Sequence, residues 1–195
     1  MKKWILTSLI IASMLVSADA QIGVKAGLNF VNVTSPAGIN ADSRSGYMIG
    51  GFFSPRGKKM FGFRSEFLLS RQGYDFKTGT NTGSVDLDYL LLPQLFVIRF
   101  TKKVEVHAGG QLAFLLNARS DSTGSRSLLD YFSRFDYGLA GGVQVSPILG
   151  LFVGARINVS LTSMRNESPP SPLPSFIPRA DVRNNVVQFY AGWQF

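Results

Sequence analysis

Residues 150–163 read Gly-Leu-Phe-Val-Gly-Ala-Arg-Ile-Asn-Val-Ser-Leu-Thr-Ser. Apolar side chains recur at every second position from Leu151 to Leu161, whereas Arg156 and Asn158 share the other parity with small residues. Successive side chains point to opposite faces of a β-strand, so this stretch predicts a strand with one apolar and one polar face. It is long enough for the roughly 9–11 residues of tilted strand that cross a membrane.

The same alternation recurs along the rest of the chain. We predict eight strands: Gln21–Val31, Gly46–Ser54, Met60–Tyr74, Val85–Phe100, Lys103–Asn117, Arg134–Ser146, Gly150–Ser163 and Arg183–Phe195. A sheet inside a membrane cannot leave an open edge in hydrocarbon, because its backbone groups would lack hydrogen-bond partners. The sequence therefore predicts an all-β fold, an eight-stranded antiparallel up-and-down transmembrane β-barrel.

The cost of charge in lipid decides which face of the sheet points inward. An Arg or Lys facing lipid at the bilayer midplane costs about 2–4 kcal/mol, whereas the same charge in a hydrated lumen costs little. Gly and Ala share the charged face, which suits the narrow interior of an eight-stranded barrel. We predict a paired polar network that plugs the lumen, formed by Lys25, Arg64, Glu66, Glu105, His107, Asp136, Gln144, Arg156 and Asn158.

Alternation does not determine the register or the pairing of every strand. Both parities of Leu87–Phe100 are largely apolar, and residues 46–54 show little preference, so the register of these two strands is undetermined. Pro93 removes a backbone donor, which indicates a bulge or a locally irregular pairing. On the polar face of the fifth strand we also place Asn117.

Short and long connections alternate along the chain. The long links are predicted at Asn32–Ser45, Asp75–Ser84, Ala118–Ser133 and Met164–Val182, and tight turns rich in turn-forming residues lie between them. Short periplasmic turns and longer extracellular loops are typical of outer-membrane barrels. The proline-rich residues 168–174 predict a stiff extracellular loop or, alternatively, a surface ligand for a partner.

The N-terminus has the pattern of a secretory signal. Lys2 and Lys3 precede an apolar run from Trp4 to Val16, and a cleavage motif with small residues at Ala18 and Ala20 follows. We predict a signal peptide over residues 1–20, cleaved after Ala20, and one outer-membrane barrel domain over residues 21–195. The alternative is a membrane anchor, but the apolar run is shorter than the roughly 20 residues of a spanning helix.

The mature chain would carry 18 basic and 11 acidic residues, a net charge of +7. An exported protein seldom meets nucleic acid, so we expect no nucleic-acid partner. Basic residues at the ends of a membrane barrel can instead contact lipid phosphates or anionic surface sugars. The predicted location is the outer membrane of a Gram-negative-type bacterium, with outer-membrane lipid as the first partner.

Four short motifs resemble the PorT-type outer-membrane β-barrel family. They are Gly23–Phe30, Arg64–Leu68, Gln72-Gly73 and Leu90–Pro93, and the resemblance spans the mature chain. It implies an eight-stranded barrel akin to small OmpX-like and OmpW-like proteins, and a link to protein secretion across the outer membrane. The family commonly carries an acidic residue two before the proline, where this chain has Leu91, so no role of that carboxylate is carried over.

The C-terminal residues form a second recognisable pattern. Val187, Phe189, Trp193 and Phe195 share one parity, and the last of them ends the chain. Such a segment looks like the signal read by the outer-membrane assembly machinery. An ordinary lipid-facing strand with an interfacial aromatic girdle would have the same pattern.

Residues for catalysis or metal binding are sparse. The sequence has no Cys and one His, His107, which excludes zinc sites of the usual His and Cys composition. Asp86 and Asp88 could bind Ca²⁺ or act in acid-base chemistry. Alternatively, residues two apart in a strand simply lie on the same solvent-exposed face. We expect no enzyme and no cofactor.

The favoured function is a structural or interaction barrel acting through its loops or within an envelope complex; the alternatives are a protein-secretion accessory and a narrow channel or transporter.

Overall fold

The computed structural model describes residues 20–34, 41–55, 60–78, 81–121, 128–163, 166 and 183–195. The predicted signal peptide, apart from Ala20, and the proline-rich residues 168–174 lie outside the described residues. The strands are β1 (Ala20–Thr34), β2 (Ala41–Ser43), β3 (Ser45–Pro55), β4 (Phe61–Thr78), β5 (Asn81–Arg99), β6 (Val104–Ser120), β7 (Phe135–Val145), β8 (Leu151–Ser160) and β9 (Arg183–Gln194). One 3-10 turn covers Leu129–Tyr131. Among the described residues, no helix is long and apolar enough to cross a membrane.

The strands form one closed antiparallel sheet. Its order is β2-β4-β3-β1-β9-β8-β7-β6-β5, and the additional pairing of β4 with β5 closes the ring. Strands β2 and β3 both pair with β4 and are separated by Arg44 alone, so together they fill one position in the wall. The wall therefore has eight strand positions, and consecutive strands are neighbours. The predicted eight-stranded up-and-down barrel is confirmed.

The apolar face of the sheet points outward. Ile157 is 55% exposed, whereas Arg156 beside it in β8 is 1% exposed and Lys25 in β1 is 3% exposed. Because a charge that faces hydrocarbon is costly, an exposed Ile157 and buried cations are the arrangement expected of a barrel surrounded by lipid. A water-soluble barrel would have the opposite arrangement.

Strand β5 has apolar residues on both faces because both of its faces meet apolar surroundings. Leu87, Leu91 and Leu95 are fully buried inside the barrel. Leu90 and Phe96 have the opposite parity and lie on the outer surface. The register that alternation could not decide is thus set by an apolar region of the lumen.

Pro93 makes the pairing locally irregular, which is one of the two outcomes predicted for it. The ladder between β4 and β5 is interrupted between the pairs Ser65↔Gln94 and Leu68↔Leu91, while Pro93 stays in register opposite Gln111 of β6. The β-bulge lies elsewhere, between Asp88 and Tyr89.

The bulge changes the face on which Asn117 lies. Asp88 pairs with Asn117 while Tyr89 pairs with Leu115, so β6 contains one extra residue at this point. Beyond it the parity of β6 is reversed, and the Asn117 amide donates to the outward-facing Asp88 carboxylate at 3.2 Å. The prediction that Asn117 lies on the lumen face is therefore wrong.

The prediction of a long link at Asp75–Ser84 is also wrong. These residues continue the hairpin of β4 and β5, with pairs such as Asp75↔Ser84 and Lys77↔Thr82. The two strands contain 18 and 19 residues, well beyond the 10 residues of β8. Strand ends outside the membrane are polar and have the same composition as a loop. The sequence alone therefore did not distinguish an extended hairpin from a loop. Since Ala20, Phe195 and the turns at residues 100–103 and 146–150 lie at the other end, we assign this extended end as extracellular.

Another predicted link, Ala118–Ser133, contains an inward-folded segment. Leu128 and Phe132, on either side of the 3-10 turn, are buried in the same hydrophobic cluster as Leu115 and Ala118. The Leu128 amide donates to the Ala118 carbonyl at 3.0 Å, which fixes the segment to β6. The extracellular part of the lumen is thereby covered by chain that does not belong to the wall.

Candidate functional site

Glu66 is at the centre of a charged cluster inside the barrel. Lys25 Nζ and Arg156 Nη1 each donate to its Oε2 atom at 2.6 Å. The side chains of all three residues are at most 1% exposed. They come from β1, β4 and β8, so one carboxylate holds together three distant strands. The Lys25 ammonium also lies 4.4 Å from the ring centre of Tyr190.

The cluster continues as a chain of hydrogen bonds toward the extracellular end. Arg156 Nε and Nη2 donate to Gln188 Oε1 at 3.0 and 2.7 Å. Gln188 in turn donates to Asn29 Oδ1 at 2.8 Å, and Asn29 donates to Ser70 Oγ at 2.9 Å. Gln72 also donates to Ser70 at 2.9 Å. The last member, Asn184, donates to Gln72.

A second cluster joins β4, β6 and β7. Arg64 Nη2 donates to Glu105 Oε1 at 2.5 Å, and Arg64 Nη1 donates to Gln144 Oε1 at 3.1 Å. The Arg64 guanidinium lies 4.7 Å from the ring centre of Phe52, an inward residue of β3. Arg99 Nε is 3.8 Å from the other Glu105 oxygen.

Two of the predicted lumen residues are buried without a hydrogen bond to the described residues. Both ring nitrogens of His107 and both amide atoms of Asn158 have no such partner. A cavity among Gln111, Asn158 and Asn184 has a volume of about 10 Å³. That is near the smallest space that holds one water molecule. This cavity beside Asn158 has room for about one water molecule and not for a larger solute.

Asp136 lies apart from the charged clusters. Its carboxylate accepts hydrogen bonds from Ser160 at 2.7 Å and from Thr162, near the extracellular end of β7 and β8. Within the described residues it has no ion pair. The structure therefore places all nine residues of the predicted network inside or at the mouth of the barrel, but brings only six of them into hydrogen-bonded clusters: Lys25, Arg64, Glu66, Glu105, Gln144 and Arg156.

Toward the extracellular end the lumen also contains buried apolar side chains, which were not predicted. A cluster of buried hydrophobic residues fills this region: Val31, Tyr74, Phe76, Val85, Leu87, Leu91, Leu115, Leu128 and Phe132 are among its members. Because both parities of β5 are apolar, strand alternation carried no signal for it. The interior thus contains both ionic clusters and buried apolar side chains.

The outer surface at the extracellular end carries ion pairs. Arg44 pairs with Asp75 at 3.1 Å and with Asp86 at 3.3 Å, and Arg71 Nε donates to Asp88 at 2.7 Å. Asp86 and Asp88, the candidate acidic pair, are thus each neutralised by an arginine. Among the described residues, no three His, Cys, Asp or Glu side chains are grouped so that they could hold a metal ion.

The C-terminal strand closes the barrel. Strand β9 pairs with β1 on one side and β8 on the other. The side chains of Phe189, Trp193 and Phe195 are exposed on the outer surface, and Val187 is half-buried on the same face. Gln188, between Val187 and Phe189, points inward and joins the charged cluster. Gln188 was not among the predicted network residues, although its opposite parity to the aromatic residues was the available signal.

Comparisons with known proteins agree with this architecture. The family described as "Outer membrane protein beta-barrel domain" matches residues 13–166. No functionally curated protein shows significant similarity to the chain.

Several solved structures share the fold. The structure of Ail, the attachment invasion locus protein of Yersinia pestis, in complex with the heparin analogue sucrose octasulfate, has a TM-score of 0.55 at 17% identity and covers 91% of this chain and 99% of that chain. OprG of Pseudomonas aeruginosa has a TM-score of 0.52 at 15% identity, with 90% and 96% covered. Neisserial surface protein A has a TM-score of 0.53 at 14% identity, with 89% and 97% covered. At these identities the likeness concerns the fold alone. The family match covers most of the chain, and the apolar face of the barrel points outward. The chain therefore belongs to the outer membrane protein beta-barrel domain family and is located in the outer membrane of a Gram-negative-type bacterium.

Proposed function

We propose that this protein is a closed-lumen interaction barrel that binds a partner at its extracellular end and neither conducts solutes nor catalyses a reaction. The observation that carries the proposal is the filling of the lumen. Glu66 is enclosed between Lys25 and Arg156, and a cluster of buried apolar side chains in the same lumen includes Leu128 and Phe132. A solute would have to displace a buried ion pair and a packed apolar cluster on the same path.

The extracellular end supplies the surface for a partner. Strands β4 and β5 extend several residues past the length a membrane requires, and their outer faces there carry Asp75, Asp86 and Asp88 beside Arg44 and Arg71. A surface of mixed, mutually neutralised charges favours specific contacts with a protein over simple attraction of a polyion. We therefore infer that the partner is a protein of the envelope or of the surroundings of the cell.

The Ail structure with a heparin analogue makes a sulfated saccharide the first alternative ligand. In this chain Arg44 and Arg71 are already paired with carboxylates, so we expect weak or no binding of sucrose octasulfate to the purified barrel. Titration calorimetry in detergent measures this directly. Micromolar binding would replace the protein partner with an anionic saccharide.

The resemblance to the PorT-type family favours a second candidate, an accessory role in protein secretion. The two candidates differ in where the partner contacts the barrel. A photo-reactive amino acid at Asp75 or Arg119, on the outer surface of the extracellular end, should give protein adducts in intact cells. The same group at Lys102, in a turn of the opposite end, is the control.

Three results together test the proposal. Planar-bilayer recording of the refolded chain should show no steady conductance, and well-resolved open levels would contradict the closed lumen. Adducts should form from the extracellular positions and not from Lys102. Deletion of the gene should leave secreted and surface proteins unchanged; loss of their export, with adducts mainly from Lys102, would support the secretion role instead.

A further inference from the structure

Two turns at the periplasmic end are linked by backbone hydrogen bonds, one between the turns and one to the C-terminal strand. The turn of residues 100–103 joins β5 to β6, and that of residues 146–150 joins β7 to β8. The Ser146 amide donates to the Lys103 carbonyl at 2.7 Å, and the Gln194 amide donates to the Gly150 carbonyl at 2.8 Å. We call six residues at this end the periplasmic rim patch: Lys102, Lys103, Ile148, Leu149, Trp193 and Phe195.

The two turns of the patch carry two lysines and no acidic side chain. Lys102 and Lys103 are both exposed, and neither turn contains an acidic residue. Neither lysine forms an ion pair with any described residue. This differs from the extracellular end, where Arg44, Arg71 and Arg134 are each paired with an aspartate. The lysines are therefore available to an external anion.

The patch also exposes large apolar side chains at the same level. Leu149 is 97% exposed at the tip of its turn, and Ile148 is 60% exposed. Leu149, Trp193 and Phe195 border a shallow apolar depression on the outside of the barrel. Gly150 has a φ of +87°, and a Cβ atom there would lie 2.6 Å from the Trp193 ring, so glycine lets the turn pack against the indole. Exposed leucine and tryptophan beside lysine are typical of a membrane interface, where the ring is half in the headgroups.

We propose that the periplasmic rim patch binds an anionic phospholipid of the inner leaflet. The headgroup phosphate would contact the Lys102 and Lys103 ammonium groups, and the first part of an acyl chain would lie in the depression beside Leu149, Trp193 and Phe195. The rim of a membrane-spanning barrel lies at headgroup depth, where a lipid phosphate and the first part of an acyl chain occur together. A basic residue near an anionic bilayer surface strengthens binding about fivefold. An acidic periplasmic protein would also meet the lysines, but its binding would leave the neighbouring apolar side chains unexplained.

Spin-labelled lipids measure this preference directly. The refolded chain is placed in phosphatidylcholine nanodiscs that contain trace spin-labelled phosphatidylglycerol or phosphatidylcholine, and the motionally restricted fraction gives the relative affinity. We expect phosphatidylglycerol to be favoured on the order of tenfold, and the preference to fall sharply in 0.5 M salt, where charges are screened within about 4 Å. The variant K102Q/K103Q should lose this preference, whereas K102R/K103R should keep it.

Control variants separate the contributions. R119Q/R134Q removes the same amount of charge from the extracellular end and should leave the preference within about twofold of the wild type. Leu149→Ser should weaken retention of both lipids alike. Heat-dependent gel mobility verifies that each variant is folded. Equal retention of the two lipids by the wild type, an unchanged preference in K102Q/K103Q, or binding of an acidic protein without lipid preference would each overturn the proposal.

Discussion

Replacing Glu66 with glutamine tests the dry ionic layer of the lumen. The substitution keeps the size of the side chain but removes the only carboxylate among the described residues that contacts Lys25 and Arg156, both at 2.6 Å. At that distance a unit charge pair is worth about 6 kcal/mol at an effective dielectric constant near 20 and about 1.6 kcal/mol in water. Removing one partner of a buried ion pair costs about 3–5 kcal/mol because a charge remains without compensation. Since two cations lose their partner, we expect a loss in the upper part of that range.

The chain provides its own probe for the measurement. Of its two tryptophans only Trp193 follows the predicted signal peptide, and it lies on the lipid-facing surface. Urea unfolding of the mature chain from liposomes, followed by the fluorescence of this residue, gives the free energy of unfolding. Asp130→Asn is the matched control, because Asp130 pairs with Arg134 at 3.3 Å on the exposed surface. The control should change stability by no more than about 0.5 kcal/mol.

A double-mutant cycle separates the ion pair from a general loss of packing. With Arg156→Gln already present, Glu66→Gln should cost at least about 1 kcal/mol less than it does alone, because contacting residues are coupled. A loss below about 1 kcal/mol for Glu66→Gln in the wild-type background would refute the reasoning. It would mean that water reaches the pair and screens it.

Two further substitutions test the outer face and the fit of the interior. Ile157→Arg places a charge on the lipid-facing side of β8 and should reduce the free energy of unfolding by about 2–4 kcal/mol, whereas Leu149→Arg at the rim should cost at most about 1 kcal/mol. Gly154→Val should cost about 1–3 kcal/mol, because its Cβ atom would lie 2.5 Å from the Tyr190 ring. Its control is Gly110→Val, where nothing lies within 4 Å of the added Cβ, and equal losses in the two glycine variants would contradict the packing described here.

Strand alternation predicted the barrel well where the two faces differ in chemistry. In β8 the hydrocarbon on one side and the ionic cluster on the other require opposite residue types, so Ile157 and Arg156 were placed correctly by parity alone. Strand β5 has apolar surroundings on both sides, and its residues Leu87 and Leu91 gave no indication of direction. Alternation indicates which face points inward only where the two faces have different surroundings.

Irregular features of the barrel depend on pairing between strands and have no local signature. The extra residue in β6 that turns Asn117 outward is set by the ladder with Asp88 and Tyr89. Similarly, Leu128 and Phe132 lie in a segment that the sequence assigns to a loop, and only the position of β6 explains why they are buried. The polar network was selected by parity, but its partners, such as Gln188 for Arg156, follow from which strands are adjacent around the ring.

Site-directed spin labelling along β8 is the most direct test of the central claim, that the apolar face meets lipid and the ionic face fills a closed lumen. The chain has no cysteine, so single cysteines can be introduced at 151–155 and 157–160 without any background substitution. In liposomes, collision of the label with oxygen should be frequent at 153, 157 and 159, and infrequent at 152, 154, 158 and 160. A polar nickel chelate should reach neither set. Alternation with the opposite phase, or free access of the chelate to the even-numbered positions, would contradict the account.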